Sequence, residues 1–323
     1  MNEQPSSDYD SPWKEAIERY FEPFMAFFFP KAHAEIDWTK GYEFLDKELQ
    51  QVVRDAEIGR KYVDKLVKGW IKNGSEAWVL VHIEVQSQKE TGFVERMYIY
   101  HLRLFDRFHR LVASFAVLGD EDADWRPTQF GYHLCGCEIG FTFPIIKLLD
   151  FKERWSFLEA SRNPFAKVAM AHLKAQETRQ NMSDRLQWKL NLVKGLYEQG
   201  FSREDILELF RFIDWLMALP EEMERCFDEE ITHYEEEKQM SYITSVERIG
   251  IQKGIQQGIQ QGRLQNAQEA VLDALEARFA TVPSSIAGAI HAVEDLSLLK
   301  QFLKQAITVN SLKEFEQRLN GNQ

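Results

Sequence analysis

The ten residues from Ala77 to Gln86, AWVLVHIEVQ, constrain the fold more than any other stretch of the chain. Ala77, Val79, Val81, Ile83 and Val85 alternate with Trp78, Leu80, His82, Glu84 and Gln86. Successive side chains of a β-strand point to opposite faces, so this period of two reads as a strand with one wholly apolar face. The other face is apolar at its start and ends in three polar residues. Such a strand belongs inside a domain, with a polar cluster gathered at one end of it.

The preceding segment, Lys61 to Ile71 (KYVDKLVKGWI), also reads as a strand, and Asn73-Gly74 between the two is a hairpin signal. With a three-residue loop, Asn73 to Ser75, Lys72 faces Glu76. That register sets Asp64 opposite Glu84 and Tyr62 opposite Gln86. Directly opposed Cβ atoms lie about 4.5–5.5 Å apart. A two-residue loop would pair Asp64 with Ile83 and put the carboxylates on opposite faces, so we take the register that opposes them. Two carboxylates so close repel each other unless a cation lies between them, and hard oxygen donors suit Mg²⁺ or Mn²⁺. The backbone carbonyl of Val85 is a candidate further ligand. Glu48, on a preceding helix with Glu43 and Asp46, is a candidate metal or water partner. Gln86 is placed to orient a water or a phosphate, without the positive charge of a lysine. A plainer reading leaves Asp64 and Glu84 solvated, or paired with Lys65, Lys68 or Arg96, which contributes little to stability.

The surroundings read as mixed α/β. Residues 12–29 form an apolar helix interrupted by Pro23 and ended by Pro30. Glu43 to Ala56 has helical spacing. Phe93 to Phe108 is a helix, Leu111 to Leu118 is a short strand apolar enough to be buried on both faces, and a further strand lies within Tyr132 to Phe143. On the helix after the polar strand, Arg96, Tyr100, Arg103 and Arg107 recur at spacings of four, three and four. Guanidinium groups bind phosphate oxygens in a bidentate manner, so this stripe is a candidate contact to a nucleic-acid backbone. His82, His101 and His109 are available as proton carriers.

Beyond Phe151 the pattern is helical, at about 151–160, 164–177, 181–199, 203–217 and 220–240. Gly250, Gly254, Gly258 and Gly262 then recur every four residues, beside Ile251, Ile255 and Ile259. The repeat is either a helix held by a partner or a hinge, because each interior glycine costs about 0.8–1.0 kcal/mol of helix propensity. Its glutamines exclude a membrane span. The expected organisation is a polar N-terminus at 1–11, an α/β domain at 12–150, a helical region at 151–245, the repeat at 246–262 and a small helical domain at 263–323.

A net charge of −12 argues against a surface coated in phosphate contacts, but the charge is uneven. Residues 221–238 hold nine acidic and two basic residues, whereas 59–110 hold ten Lys or Arg against six Asp or Glu. A local basic surface can bind DNA on an acidic chain. The start of the chain lacks a basic and apolar export signal and no apolar run is long enough to span a bilayer, so a cytoplasmic protein with no membrane partner is expected. The three cysteines, Cys135, Cys137 and Cys226, are expected to be small buried hydrophobes.

Three runs carry a family resemblance: GRKYVDKLVKGW (59–70), VLVHIEVQSQ (79–88) and ERMYIYHLRLFDR (95–107). Together they resemble the bacterial recombination-promoting nuclease and putative transposase family, which is similar to PD-(D/E)XK endonucleases. The motifs cover about 60 residues, with looser similarity from about residue 8 to 150, and the glycine repeat also resembles members with long helical tails. The resemblance implies a restriction-endonuclease-like core, a central mixed sheet flanked by helices, followed by an all-α region. It aligns Asp64 with the first acidic position and Glu84 with the second, and Gln86 stands where the wider superfamily has lysine. It implies Mg²⁺-dependent hydrolysis of phosphodiester bonds in DNA, with no small-molecule cofactor, and a link to recombination or mobile elements. A homodimer is expected, since such cores cut two strands with two copies. The rival readings are a nuclease-like fold that no longer cuts and serves as a DNA-binding or assembly module, and a helical scaffold.

Overall fold

A computed structural model of the chain describes residues 10–47, 49, 63–84, 92–238, 245–279, 282–309 and 311–320. They fall into two compact units, 1–244 and 245–323. Among the described residues no helix is long and apolar enough to cross a membrane.

The first unit opens with three short helices, α1 (Asp10–Arg19), α2 (Phe21–Phe28) and α3 (Pro30–Glu35). Proline cannot donate to the carbonyl four residues back and its ring collides with it, so Pro23 ends the helix upstream of itself. The break falls at Tyr20, which leaves Pro23 in the first turn of α2, where no intrahelical donor is needed.

A mixed five-stranded sheet follows. Its strands are β1 (Glu43–Phe44), β2 (Val63–Trp70), β3 (Glu76–Glu84), β4 (Val112–Leu118) and β7 (Ile145–Lys147), side by side in that order. The β1–β2 and β2–β3 pairs are antiparallel, and β3–β4 and β4–β7 are parallel. The parallel β3–β4 pair needs a long crossover, and helix α4 (Phe93–Phe108) supplies it. Strands β5 (Gln129–Leu134) and β6 (Cys137–Thr142) form a separate hairpin, so the single strand expected within 132–143 is two. Residues 43 and 44 belong to β1 rather than to the expected helix from Glu43. Pairing of Glu43 with Lys68 and of Phe44 with Val67 overrides the local helical spacing there. Helix resumes at Asp46, and residues 48 and 50–56 lie outside the described residues.

Helix α4 covers one face of the sheet. Its Tyr100 and Leu104 pack with Leu66, Trp78 and Leu80, and with Leu45 and Leu49. Its Phe93 and Met97 pack with Ala116 and Leu118 of β4 and with Phe143. The N-terminal half of α4 therefore lies over the carboxyl end of β4, and the C-terminal half over the middle of β2 and the start of β3. On the opposite face Phe29 meets Phe115 of β4, with ring centroids 4.7 Å apart. There the buried ammonium of Lys65 in β2 is paired with Glu18 of α1 and with Asp46.

Helices α5 (Trp155–Ala160), α6 (Pro164–Glu177), α7 (Met182–Glu198), α8 (Arg203–Leu216) and α9 (Glu221–Glu237) complete this unit. The fully buried Trp13 of α1 touches Phe165 of α6 and Phe212 of α8 at 6.1 Å between centroids. The helices after residue 151 thus share a core with the N-terminal helices. Buried Lys189 of α7 binds Asp214 of α8 at 2.6 Å and Glu224 of α9 at 2.8 Å, tying the three together.

The second unit is helical: α10 (Ser245–Phe279), α11 (Ser284–His291), α12 (Leu296–Thr308) and α13 (Leu312–Asn320). The glycine repeat lies within α10. Val271, Leu275, Ile290, Leu299, Phe302 and Phe315 form its buried core. Gln268 donates to the carbonyls of His291 (3.0 Å) and Val293 (2.9 Å), satisfying the end of α11.

All three cysteines are exposed, which corrects the expectation of buried thiols. Cys135 and Cys137 fall at the tip of the β5–β6 hairpin, and Cys226 on the outer side of α9.

Candidate functional site

Asp64 is the second residue of β2 and Glu84 the last of β3. The register pairs Asp64 with His82, and Trp70 with Glu76, not Asp64 with Glu84 or Lys72 with Glu76 as expected. The cause lies in the turn. Its loop does have three residues, but they are Lys72 to Gly74, closed by Ile71 N–H to the Ser75 carbonyl at 2.9 Å and Gly74 N–H to the Ile71 carbonyl at 2.8 Å. Gly74 has φ 92°, so it takes the left-handed position that ends a three-residue hairpin loop, and Ser75 passes into the strand side. Asn73 Oδ1 accepts from Ser75 N–H at 2.9 Å and fixes the bend.

The shift is two residues, so the strand period still assigns positions 64, 82 and 84 to one face. Asp64 and Glu84 are diagonal neighbours, whose Cα atoms lie about 7–8 Å apart in a regular sheet, instead of directly opposed. Glu84 pairs on its other side with Leu118 of β4, and Leu118 pairs with Lys147 of β7. The candidate residues therefore gather at the carboxyl ends of the parallel strands. Gln86, Val85 and Glu48 lie outside the described residues, as does Tyr62. Among the described residues no cluster of three or more His, Cys, Asp or Glu is placed to hold a metal.

The arginine stripe needs correction. Arg96 is 2% exposed and Tyr100 1%, so both lie under α4 and not on a DNA-facing surface. Phe93, Met97 and Leu104 occupy the same side of the helix, and their burial against the sheet carries Arg96 and Tyr100 inward. Arg96 lies over the Phe93 ring, 5.4 Å from its centroid, at the end of the sheet that carries Glu84. Further along the helix the stripe emerges: Arg103 is half-buried and Arg107 exposed. His101 is held between Ser114 Oγ (3.2 Å from its Nδ1) and the Phe141 ring, and its burial lowers its pKa. His109 ends α4 in the left-handed conformation, at φ 49°.

Two features at this end of the sheet were not singled out from the sequence. Lys147 and Asp120 form a buried ion pair, with side chains 0% and 1% exposed. Both carboxylate oxygens of Asp120 accept from Lys147 Nζ, which also donates to the Trp125 carbonyl at 3.3 Å. One signal was legible: a single lysine in the apolar run FPIIKLL must find a partner if that run is buried. On the other side of the loop after β4, His172 Nε2 and the Gln176 side-chain amide both donate to the carbonyl of Gly119, the former at 3.2 Å. The loop leaving β4 is thus fixed from β7 and from α6.

His172 is fully buried, and desolvation lowers its pKa to about 4. The folded value lies below the unfolded value of roughly 6.5, so folding favours the neutral ring. Its contribution is whole above about pH 6.5 and is lost as pH falls toward 4, by about 3 kcal/mol in total. His172→Gln is expected to flatten the fall in unfolding free energy between about pH 6.5 and 4. Urea denaturation of both proteins across that range checks this, and an unchanged slope would remove His172 as its cause.

Compared with protein-family models, with curated proteins and with solved structures, the chain finds no match in any of the three.

Proposed function

We propose that the first unit is a metal-dependent DNA endonuclease of the restriction-endonuclease-like type, with Asp64 and Glu84 as its metal ligands. The observation that carries this reading is the common placement of Asp64 and Glu84. They occupy one face and one end of adjacent central strands, beside the β3–α4–β4 crossover. A mixed five-stranded sheet with helices against it is the coarse architecture that such a core would need. Ligands of open α/β sheets commonly sit at the carboxyl ends of parallel strands, where these residues lie.

The donor set fits a hard divalent cation. Two carboxylates at diagonal strand positions would offer oxygen donors, which Mg²⁺ and Mn²⁺ prefer. When bound, the metal polarises a phosphoryl oxygen and lowers the pKa of a coordinated water. Asp64 and Glu84 hold that charge in place, with the Val85 carbonyl and Glu48 as proposed further ligands. Gln86 is assigned to orient the attacking water or the phosphate through its amide. It has no ammonium to stabilise the developing charge. Arg103 and Arg107, at the emergent end of the stripe, are the remaining candidates for contact with DNA phosphates. Two such cores in a homodimer would cut both strands.

Incubation of supercoiled plasmid with the full-length protein tests the reading. Nicked or linear product is expected with Mg²⁺ or Mn²⁺ and none with EDTA. Binding of DNA without cutting under either metal would favour the inactive DNA-binding module instead.

A further inference from the structure

We propose that Cys135 and Cys137 form a redox-active dithiol, which closes to a disulfide across Gly136 by exchange with a small-molecule disulfide. Cysteine is among the most buried residue types, yet both of these thiols are exposed on one hairpin turn. Leu134 pairs with Cys137, so Cys135 and Gly136 are the whole loop. Their φ values are 51° and 82°, both in the left-handed region, as a type I′ turn requires. Asparagine and glycine take the first position readily, whereas a cysteine there adopts a backbone conformation that L side chains disfavour. The turn therefore holds a reactive side chain where turn chemistry alone would not select it.

The geometry suits closure. Residues two apart in backbone of helical curvature have Cα atoms about 5.4 Å apart, whichever the hand. Disulfides span roughly 4.4–6.8 Å between Cα atoms. The turn already holds the two Cα atoms at a separation that a disulfide can span. Metal chelation is less well served. A structural thiophilic metal takes four ligands, and among the described residues no third His, Cys, Asp or Glu joins the pair.

The exchange balances in two steps. The thiolate of one cysteine attacks a sulfur of oxidised glutathione, the S–S bond breaks, and one glutathione leaves as thiolate and takes up a proton. The second cysteine thiolate then attacks the protein sulfur of the mixed disulfide, forming the Cys135–Cys137 bond and releasing the second glutathione. Two protein thiols are oxidised, and one glutathione disulfide is reduced to two thiols.

Cys226, a lone exposed thiol on α9, is an internal control. The reduced full-length protein is incubated with oxidised glutathione, quenched with acid and digested for mass spectrometry. The peptide containing 135–137 is expected to lose two hydrogens. Its glutathione adduct should be about a tenth or less of that on the Cys226 peptide, because a tethered thiol acts at an effective concentration above that of free glutathione. Cys137→Ser and Cys135→Ser should each retain the adduct at the remaining cysteine. Lasting adducts on the wild-type 135–137 peptide at the level of Cys226 would overturn the proposal. So would a fully reduced 135–137 peptide in a sample where Cys226 is modified.

Discussion

Lys147→Met is expected to lower the unfolding free energy by about 3–5 kcal/mol, because it strips a buried carboxylate of its counter-charge. Methionine keeps most of the lysine stem, so the loss arises chiefly from charge and not from a cavity. Asp120 is left 1% exposed with no ammonium against its two oxygens. The double variant Lys147→Met/Asp120→Asn removes the carboxylate charge as well and should recover most of the loss. The asparagine oxygen can still accept from the Asp122 N–H, which lies 3.0 Å from Asp120 Oδ1. Urea denaturation of the three proteins measures this. Equal stability of the single and double variants would show that the pair is not what holds β7 against the loop after β4.

Asp64→Ala and Glu84→Ala are each expected to slow DNA cleavage at least about a thousandfold, equivalent to about 4 kcal/mol at 1.36 kcal/mol per decade. Each removes one of two charged ligands from the proposed cation, and neither should unfold the protein. With one of two like charges gone, stability in metal-free buffer should be unchanged or slightly raised. The contrast with Lys147→Met separates the two kinds of residue at this end of the sheet. The carboxylates are expected to affect cleavage without stability, whereas the buried lysine is expected to affect stability first. Circular dichroism melts run beside the cleavage assay distinguish the two outcomes.

Much of the architecture was legible because local signals agreed with the tertiary result. Helix α4 was expected at 93–108, where it is found, since Phe93, Met97, Tyr100 and Leu104 repeat at helical spacing and face the sheet. Strand β4 and helix α6 were as clear, the first from an almost wholly apolar run and the second at the expected 164–177, where Asn163 caps it and Pro164 opens it. Where long-range pairing decides, local pattern was insufficient. Residues 43 and 44 have helical neighbours but join the sheet edge, and a two-residue strand has no periodicity to read.

The candidate site was legible in its face and not in its register. The choice of a three-residue loop over a two-residue one put positions 64 and 84 on one face, and that property survives the further shift of two residues. The conformation of one glycine, Gly74, decided which residues oppose each other, and the dipeptide Asn73-Gly74 alone did not specify its place in the loop. The arginine stripe misled for a related reason. A spacing of four, three and four identifies a helix face, but the apolar residues beside it determine whether that face meets solvent. The Asp120–Lys147 pair and the Gly119 anchor join residues 27 and 53 positions apart, a proximity that only the folded chain creates.

The most direct test of the central claim is single-turnover cleavage of end-labelled duplex DNA by the full-length protein in Mn²⁺, with Glu84→Ala in parallel. Metal-dependent cutting by the parent, lost in a variant that melts like the parent, is the predicted result. Cutting by Glu84→Ala at the parent rate, or cutting that persists in EDTA, would contradict it.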